Sequence, residues 1–314
     1  MNISKYIKEN QIVSIVGATA TGKTAFALDL AATLISEKRF QKVHLLSADS
    51  RQVYCGLENL TGADLPSDFV AAKSEKLNHP FFQNSAKNIF LHGVSIISPK
   101  EEWSVAHFKK LFENVKENLG KEDFLIVVGG TGFYQQQILQ TAETIIVPQN
   151  KELRERLDKL SIEELKKELQ KLDQAKLEKM NNSDVNNPRR LIRAIEIALS
   201  YSKIITQSKN SLPIFYLQMP KDLREQKIRQ RVLDRFALAK EEVQKQLAFS
   251  KNIKSDWSAF SSTGFTELQK FITGEINEQE CLNLWQTAEI QYAKRQDTWW
   301  KKRTNLIKIA AEKF

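Results

Sequence analysis

The apolar positions of this chain fall into two rhythms. Ile12 to Val16 (IVSIV) is a short β-branched run, which predicts a strand buried on both faces of a parallel sheet. From Lys23 to Ile35 the apolar residues Ala27, Leu30, Ala31 and Leu34 recur at helical spacing, so strand, loop and helix follow one another closely. Val43 to Ser47 and Phe124 to Val128 predict two more buried strands, each running into a turn. Strands alternating with helices predict an α/β fold, a parallel sheet flanked by helices whose ligand lies at the strands' carboxyl ends.

Residues 141–199 follow the helical rhythm alone. Leu153, Leu157, Leu160, Leu165, Leu169 and Leu172 form one stripe, and Ser161 with Glu164 makes a capping box that restarts the helix. Asn186-Asn187-Pro188 sets proline at a helix N-terminus, with Arg189, Arg190 and Arg193 in the first turn and a half. The pattern predicts a small all-helical insertion domain at 141–199 within a core formed by 1–140 and 200–314. In that second core segment Ile214 to Gln218 reads as a returning strand and Lys221 to Leu247 as a basic helix or helix pair. Cys281, Leu284, Trp285, Ala288, Tyr292 and Trp299 then share one helix face. The stretch from Leu65 to Asn88 shows no usable period.

Composition narrows the class. With 41% hydrophobic and 27% charged residues, and no apolar run near the roughly 20 residues that cross a bilayer, a globular, membrane-free chain is expected. Cys55 and Cys281 stand far apart in sequence, and the four histidines form no i,i+4 pair, so neither a disulfide framework nor a histidine metal site is expected. Met1 to Asn10 lacks the apolar core of a secretory leader, so the expected compartment is the cytoplasm. Of the net charge of +9, +7 sits in residues 201–314. Clustered there, it suits a polyanion or simply a basic surface.

The candidate chemistry begins at Gly17. GATATGKT at 17–24 fits G-x-x-x-x-G-K-[ST] at every position, between a predicted strand and a predicted helix. Such a loop wraps a phosphate with backbone N–H groups at a helix N-terminus; Lys23 adds a full charge and Thr24 a Mg²⁺ ligand. Asp49, at the end of the second strand, reads as a metal ligand, as a base, or as the side chain of an Asx turn. Gly129-Gly130-Thr131-Gly132 reads as a second flexible turn carrying a hydroxyl. No Asn-Lys-x-Asp sequence occurs, which disfavours a guanine-specific switch protein.

Taken in order, GATATGKT (17–24), ADSRQVYCGL (48–57), PKEEWSVAHF (99–108), VVGGTGFY (127–134), NNPRRLIRAIEI (186–197) and YAKRQDTWW (292–300) resemble the tRNA dimethylallyltransferases, also called tRNA isopentenyltransferases. The resemblance implies a P-loop fold that holds the pyrophosphate of dimethylallyl diphosphate rather than a nucleotide. It implies prenyl transfer to N6 of adenosine 37, next to the tRNA anticodon, with Mg²⁺ as cofactor. By the same resemblance Gly17, Thr19, Ala20, Thr21, Gly22, Lys23, Thr24 and Lys227 bind diphosphate, with Thr24 on the metal. Lys23, Arg231, Thr131 and the base Asp49 are catalytic. Asp49, Ser50, Arg51 and Gln52 read the adenosine, and Arg189, Arg190 and Arg193 contact tRNA. The expected partner is the anticodon stem-loop, and the expected state a monomer.

The chain departs from the family pattern at Ala18 (usually proline), Lys227 (arginine), Leu91 (histidine), and Ser95 and Ser98 (aspartates). The glycine usual near Ala239 is missing, and the segment at 263–266 lacks its usual tyrosine and basic residue. Two other functions remain open on the residues, an adenylate isopentenyltransferase acting on free AMP or ATP and a P-loop kinase of a small molecule.

Overall fold

Val13, Ile15 and Val16 are fully buried, as a strand covered on both faces requires. The computed structural model describes residues 4–7, 11–139, 147–200, 212–249 and 258–311. The chain divides into two compact units, Met1–Leu139 with Asn210–Phe314, and Gln140–Lys209.

The first unit opens with α1 (Ser4–Ile7), β1 (Ile12–Val16), α2 (Lys23–Ser36), β2 (Lys42–Ser47) and α3 (Glu58–Thr61). There follow β3 (Phe69–Ala72), β4 (Phe81–Asn84), β5 (Ile89–His92), α4 (Val105–Glu117), β6 (Asp123–Gly129) and α5 (Gly132–Leu139). The second unit holds α6 (Lys151–Leu157), α7 (Ile162–Lys179), α8 (Asn182–Val185) and α9 (Pro188–Leu199). The first unit resumes with β7 (Ile214–Gln218), α10 (Lys221–Phe249), α11 (Phe265–Ile272), α12 (Glu278–Lys301) and β8 (Ile307–Ala310).

Among the described residues eight strands form one sheet, ordered β3-β4-β5-β2-β6-β1-β7-β8. From β5 to β8 every pairing is parallel. The strands that precede the three motif loops lie side by side, with Val16 beside Gly129 and Ser47 beside Val128. Their carboxyl ends open on one crevice.

The sheet is not parallel throughout, because β4 runs against β5 and β3 against β4. These strands come from the stretch without usable period. β3 lies at the sheet edge with Val70 exposed, so a hydrophobic alternation has little burial to report. Of the two readings of Lys221 to Leu247, a basic helix or a helix pair, the structure has the first, one unbroken helix, α10. In α12, Leu284 is exposed, and the buried face carries Gln286, Glu289 and Gln296 beside Cys281, Trp285, Ala293 and Trp300. Polar partners on α10 explain that face: Arg229 donates to Gln286 at 2.8 Å and Arg235 pairs with Glu289 at 3.6 Å.

In the second unit Leu157, Leu165 and Leu169 pack with Leu191, Ile192 and Ile195. Leu172 drops out of the predicted stripe and is exposed, since Asp173 leaves helical geometry (φ −156°, ψ 80°) directly after it. The capping box at Ser161 and Glu164 and the proline at the start of α9 form as the residues predict.

Three histidines that are distant in sequence form a chain, with His92 buried and His44 and His79 partly buried. His79 Nε2 lies 3.0 Å from His92 Nδ1, His92 Nε2 lies 3.0 Å from His44 Nδ1, and His44 Nε2 lies 3.6 Å from Asp123. Burial holds all three below the ordinary histidine value, His44 and His79 at about 4, with Asp123 pulling His44 up and Asn114 pulling His79 up. The unfolded chain therefore binds more protons between about pH 6.5 and 4, and stability falls as pH falls through that window. Urea unfolding at pH 7, 6 and 5 should show stability falling at each step. A midpoint unchanged from pH 7 to 5 would mean that the chain takes up protons without unfolding.

Candidate active site

The loop from Gly17 to Thr24 turns between β1 and α2. Gly22, at φ 79°, caps α2 in the left-handed region that favours glycine, and Ala20 also sits there at φ 61°. Lys23, the first residue of α2, bends back to donate to the Ala18 carbonyl at 2.5 Å. Burial lowers its ammonium to about 8, helped by Arg231, while Asp49, Asp64 and Asp297 act the other way. A half-starved ammonium beside Arg231 is a site poised for an anion.

Thr19, Ala20, Gly22, Lys23, Thr24, Lys227 and Arg231 line a cleft of about 740 Å³ together with Asp49, Ser50, Arg51 and Gln52. The expected phosphate and adenosine residues of the first unit thus meet in one place. Gly17 and Thr21 do not line it. Thr21 is buried and donates to the Ala18 carbonyl at 2.9 Å, which shapes the loop from within. The Thr19 amide is taken by Gln296 Oε1 at 2.7 Å, so α12 ties down the loop and that N–H is already engaged.

Asp49 makes the Asx turn of one reading and also faces the cleft. Its Oδ1 accepts from the Arg51 amide at 2.8 Å and the Gln52 amide at 3.4 Å. Gln52 is consumed by structure: its amide donates to the Gly62 carbonyl at 2.9 Å and accepts from Ser47 at 2.8 Å. Arg51 donates to the Ser258 carbonyl.

The glycines after β6 are not the flexible turn expected of them. A Cβ at Gly130 would lie 2.1 Å from Gln296, and one at Gly132 would lie 1.9 Å from Trp299. Close packing of α12 demands them. Thr131 between them is covered: its Oγ1 is buried, makes no hydrogen bond of good geometry, and has the Tyr292 phenol as polar neighbour. Burial, with Asp49 adding, pushes that phenol up to about 12, so it stays protonated. Trp300 is buried, whereas Tyr292, Arg295 and Gln296 line the cleft, so the segment from 292 to 300 serves core and site together.

Sequence reasoning missed Asp64, Arg235, Glu289 and Gln296. Arg235 reaches the carbonyls of Asn59 and Leu60 as well as Glu289, and burial lowers the guanidinium and raises the carboxyl. Only the folding of α10 against α12 and the loop after α3 brings these together. A possible signal was the i,i+4 repeat of Lys227, Arg231 and Arg235 on α10, which places three cations on one face.

For a divalent cation the cleft offers the Thr24 hydroxyl and the Asp49 carboxylate, oxygen donors that suit a hard ion. Among the described residues no group of three or more His, Cys, Asp or Glu could hold a metal. Any cation here would depend on ligand oxygens.

Arg189, Arg190 and Arg193 belong to the second unit. Arg189 is exposed. Arg190 pairs with Asp184, and Arg193 donates to Glu196 at 3.0 Å and to the Val147 carbonyl at 2.7 Å. Glu196 is buried, which pushes its carboxyl up, yet bonds from Arg154, the Asn150 amide and Arg193 bring it below the usual value.

Fold and loop define a P-loop α/β protein with a helical insertion. Residues 82–303 match the IPP transferase family, and the chain belongs to it. It is 32% identical over 297 residues to tRNA dimethylallyltransferase 2 of Bacteroides fragilis, covering 92% of this chain and 88% of that relative. It is also 32% identical over 302 residues to tRNA dimethylallyltransferase 1 of Parabacteroides distasonis, covering 94% and 89%. Its fold is similar to that of a eukaryotic dimethylallyltransferase acting on tRNA (TM-score 0.76, 20% identity, 97% of this chain and 75% of that one). It also resembles the tRNA delta(2)-isopentenylpyrophosphate transferase of Staphylococcus epidermidis (TM-score 0.61, 23% identity, 96% and 94%).

Proposed function

We propose that this chain transfers a dimethylallyl group from dimethylallyl diphosphate to N6 of adenosine 37, beside the anticodon of tRNA, releasing pyrophosphate. One observation carries the donor: the cations Lys23, Lys227 and Arg231 share their cleft with Leu28, Leu45, Leu91 and Val94. A diphosphate needs the first set and a five-carbon tail needs the second. The phosphate chain of a kinase substrate would leave the apolar wall without a partner.

Prenyl transfer breaks a carbon–oxygen bond, so negative charge grows on the departing pyrophosphate while the allylic carbon becomes cationic. Lys23 and Arg231 stand in the cleft where they can meet that charge. By the family resemblance the Thr131 hydroxyl, buried beside the Tyr292 phenol, is assigned to the bridging oxygen, and Asp49 takes the amine proton once the new C–N bond makes it acidic. Mg²⁺, held through Thr24 and the diphosphate, would neutralise further charge. The acceptor base must leave its stack to reach the site, where Ser50 and Arg51 remain to read it, Gln52 being spent on holding the loop.

Among the described residues no helix is long and apolar enough to cross a membrane. On this reading the enzyme works in the cytoplasm as a monomer.

Incubation with labelled dimethylallyl diphosphate and either total tRNA or AMP tests the function. Label should enter RNA; label in AMP alone, or phosphate transfer from ATP, would overturn the reading. Within the second unit the exposed Arg189 is the cleanest test of tRNA contact. Arg189→Gln should lower the slope of log affinity against log salt by about 0.7 to 0.9 without changing the melting temperature. Arg193→Gln should instead lower stability, because Glu196 is buried and counts on it.

A further inference from the structure

Arg231 is not waiting free in the cleft. One guanidinium nitrogen, Nη2, forms an ion pair with Asp64 and donates to the Gly62 carbonyl at 2.8 Å, and Nη1 donates to Thr19 Oγ1 at 3.3 Å. Asp64 lines the same cleft, and its side chain is half exposed. The loop that carries it is shaped around the arginines of α10: a Cβ on Gly62 would lie 2.4 Å from Arg235 and 2.6 Å from Arg231. Asp64 itself stands in the left-handed region, at φ 46°, where aspartate and asparagine are tolerated better than most residues.

From these contacts we infer that Asp64 is a resting partner for Arg231: its carboxylate competes with the diphosphate for the guanidinium and reclaims it when pyrophosphate leaves. The inference rests on the diphosphate reading of the site and adds a residue to it. A catalyst with several fixed cations around a leaving group stabilises the free product as well, and product that binds too well limits turnover. An internal carboxylate on the same guanidinium lowers that affinity without removing the cation. Because the pair is partly exposed, its net strength is small, so the donor's diphosphate loses only the same modest factor as pyrophosphate. Asp64 is thus a positioning residue that acts through Arg231.

The test uses Asp64→Asn, which keeps the backbone conformation and most of the shape while removing the charge. Titration calorimetry with inorganic pyrophosphate should show affinity rising about two- to fivefold, the scale of an exposed ion pair. Product inhibition by pyrophosphate should tighten by the same factor, and single-turnover transfer should not slow. Asp234→Asn removes an acid from the same cleft that bonds Gln230 rather than Arg231, and should change pyrophosphate affinity less. A structural lesion would not strengthen binding. Unchanged or weaker affinity in Asp64→Asn, or an equal gain in Asp234→Asn, would overturn the inference. If the unaltered protein bound no pyrophosphate, or if Lys23→Ala bound it equally well, the diphosphate reading itself would fall.

Discussion

Asp49→Asn should slow prenyl transfer by about 10² to 10⁴ while leaving diphosphate binding nearly intact, because the substitution removes the proton acceptor alone. Asparagine keeps an Oδ1 that can accept from the Arg51 and Gln52 amides, so the turn after β2 survives. Asp49→Ala would lose base and turn together and could not separate the two roles. Single-turnover transfer and pyrophosphate titration, run on the same protein, make the measurement. If binding collapsed in Asp49→Asn while residual chemistry stayed fast, Asp49 would be a metal ligand rather than the base.

Lys23→Ala should reduce the rate by roughly two to three orders of magnitude, about 3 to 4 kcal/mol, the scale of one preorganised contact to a developing anion. The free protein offers a second view of the same group. With the ammonium lowered to about 8, its charge is fully present near pH 6 and lost as pH rises through 8. Pyrophosphate affinity should therefore fall above pH 8 by up to about tenfold per pH unit, and Lys23→Ala should lose that dependence. The ligand's own titration is common to both proteins and cancels in the comparison. A variant within threefold of the unaltered rate would remove Lys23 from the reaction.

Asp64 and the His44–His92–His79 chain show where sequence reading stops. Neither has a local signature. Asp64 becomes a partner of Arg231 through a separation of 167 residues, and His44 meets His92 across 48.

The first unit's motif strands, the loop at 17–24, the capping box at Ser161 and the proline start of α9 were determined by the sequence itself. Each rests on an interaction within a few residues, such as a backbone amide and its cap, a β-branched run or a glycine at positive φ. Burial of β3 and β4 is partial and their pairing antiparallel, so the local pattern carried no clear period. The inward polar face of α12 was likewise decided only in three dimensions, since glutamine and glutamate read as solvent-facing until arginines from α10 meet them. The glycines after β6 read as a flexible turn because sequence shows a missing Cβ but not the helix that fills its place. Tertiary packing therefore chose the neighbours of each charged group, and with them the pKa of Lys23 and the resting state of Arg231, because electrostatic energies depend on distance and burial that no linear spacing records.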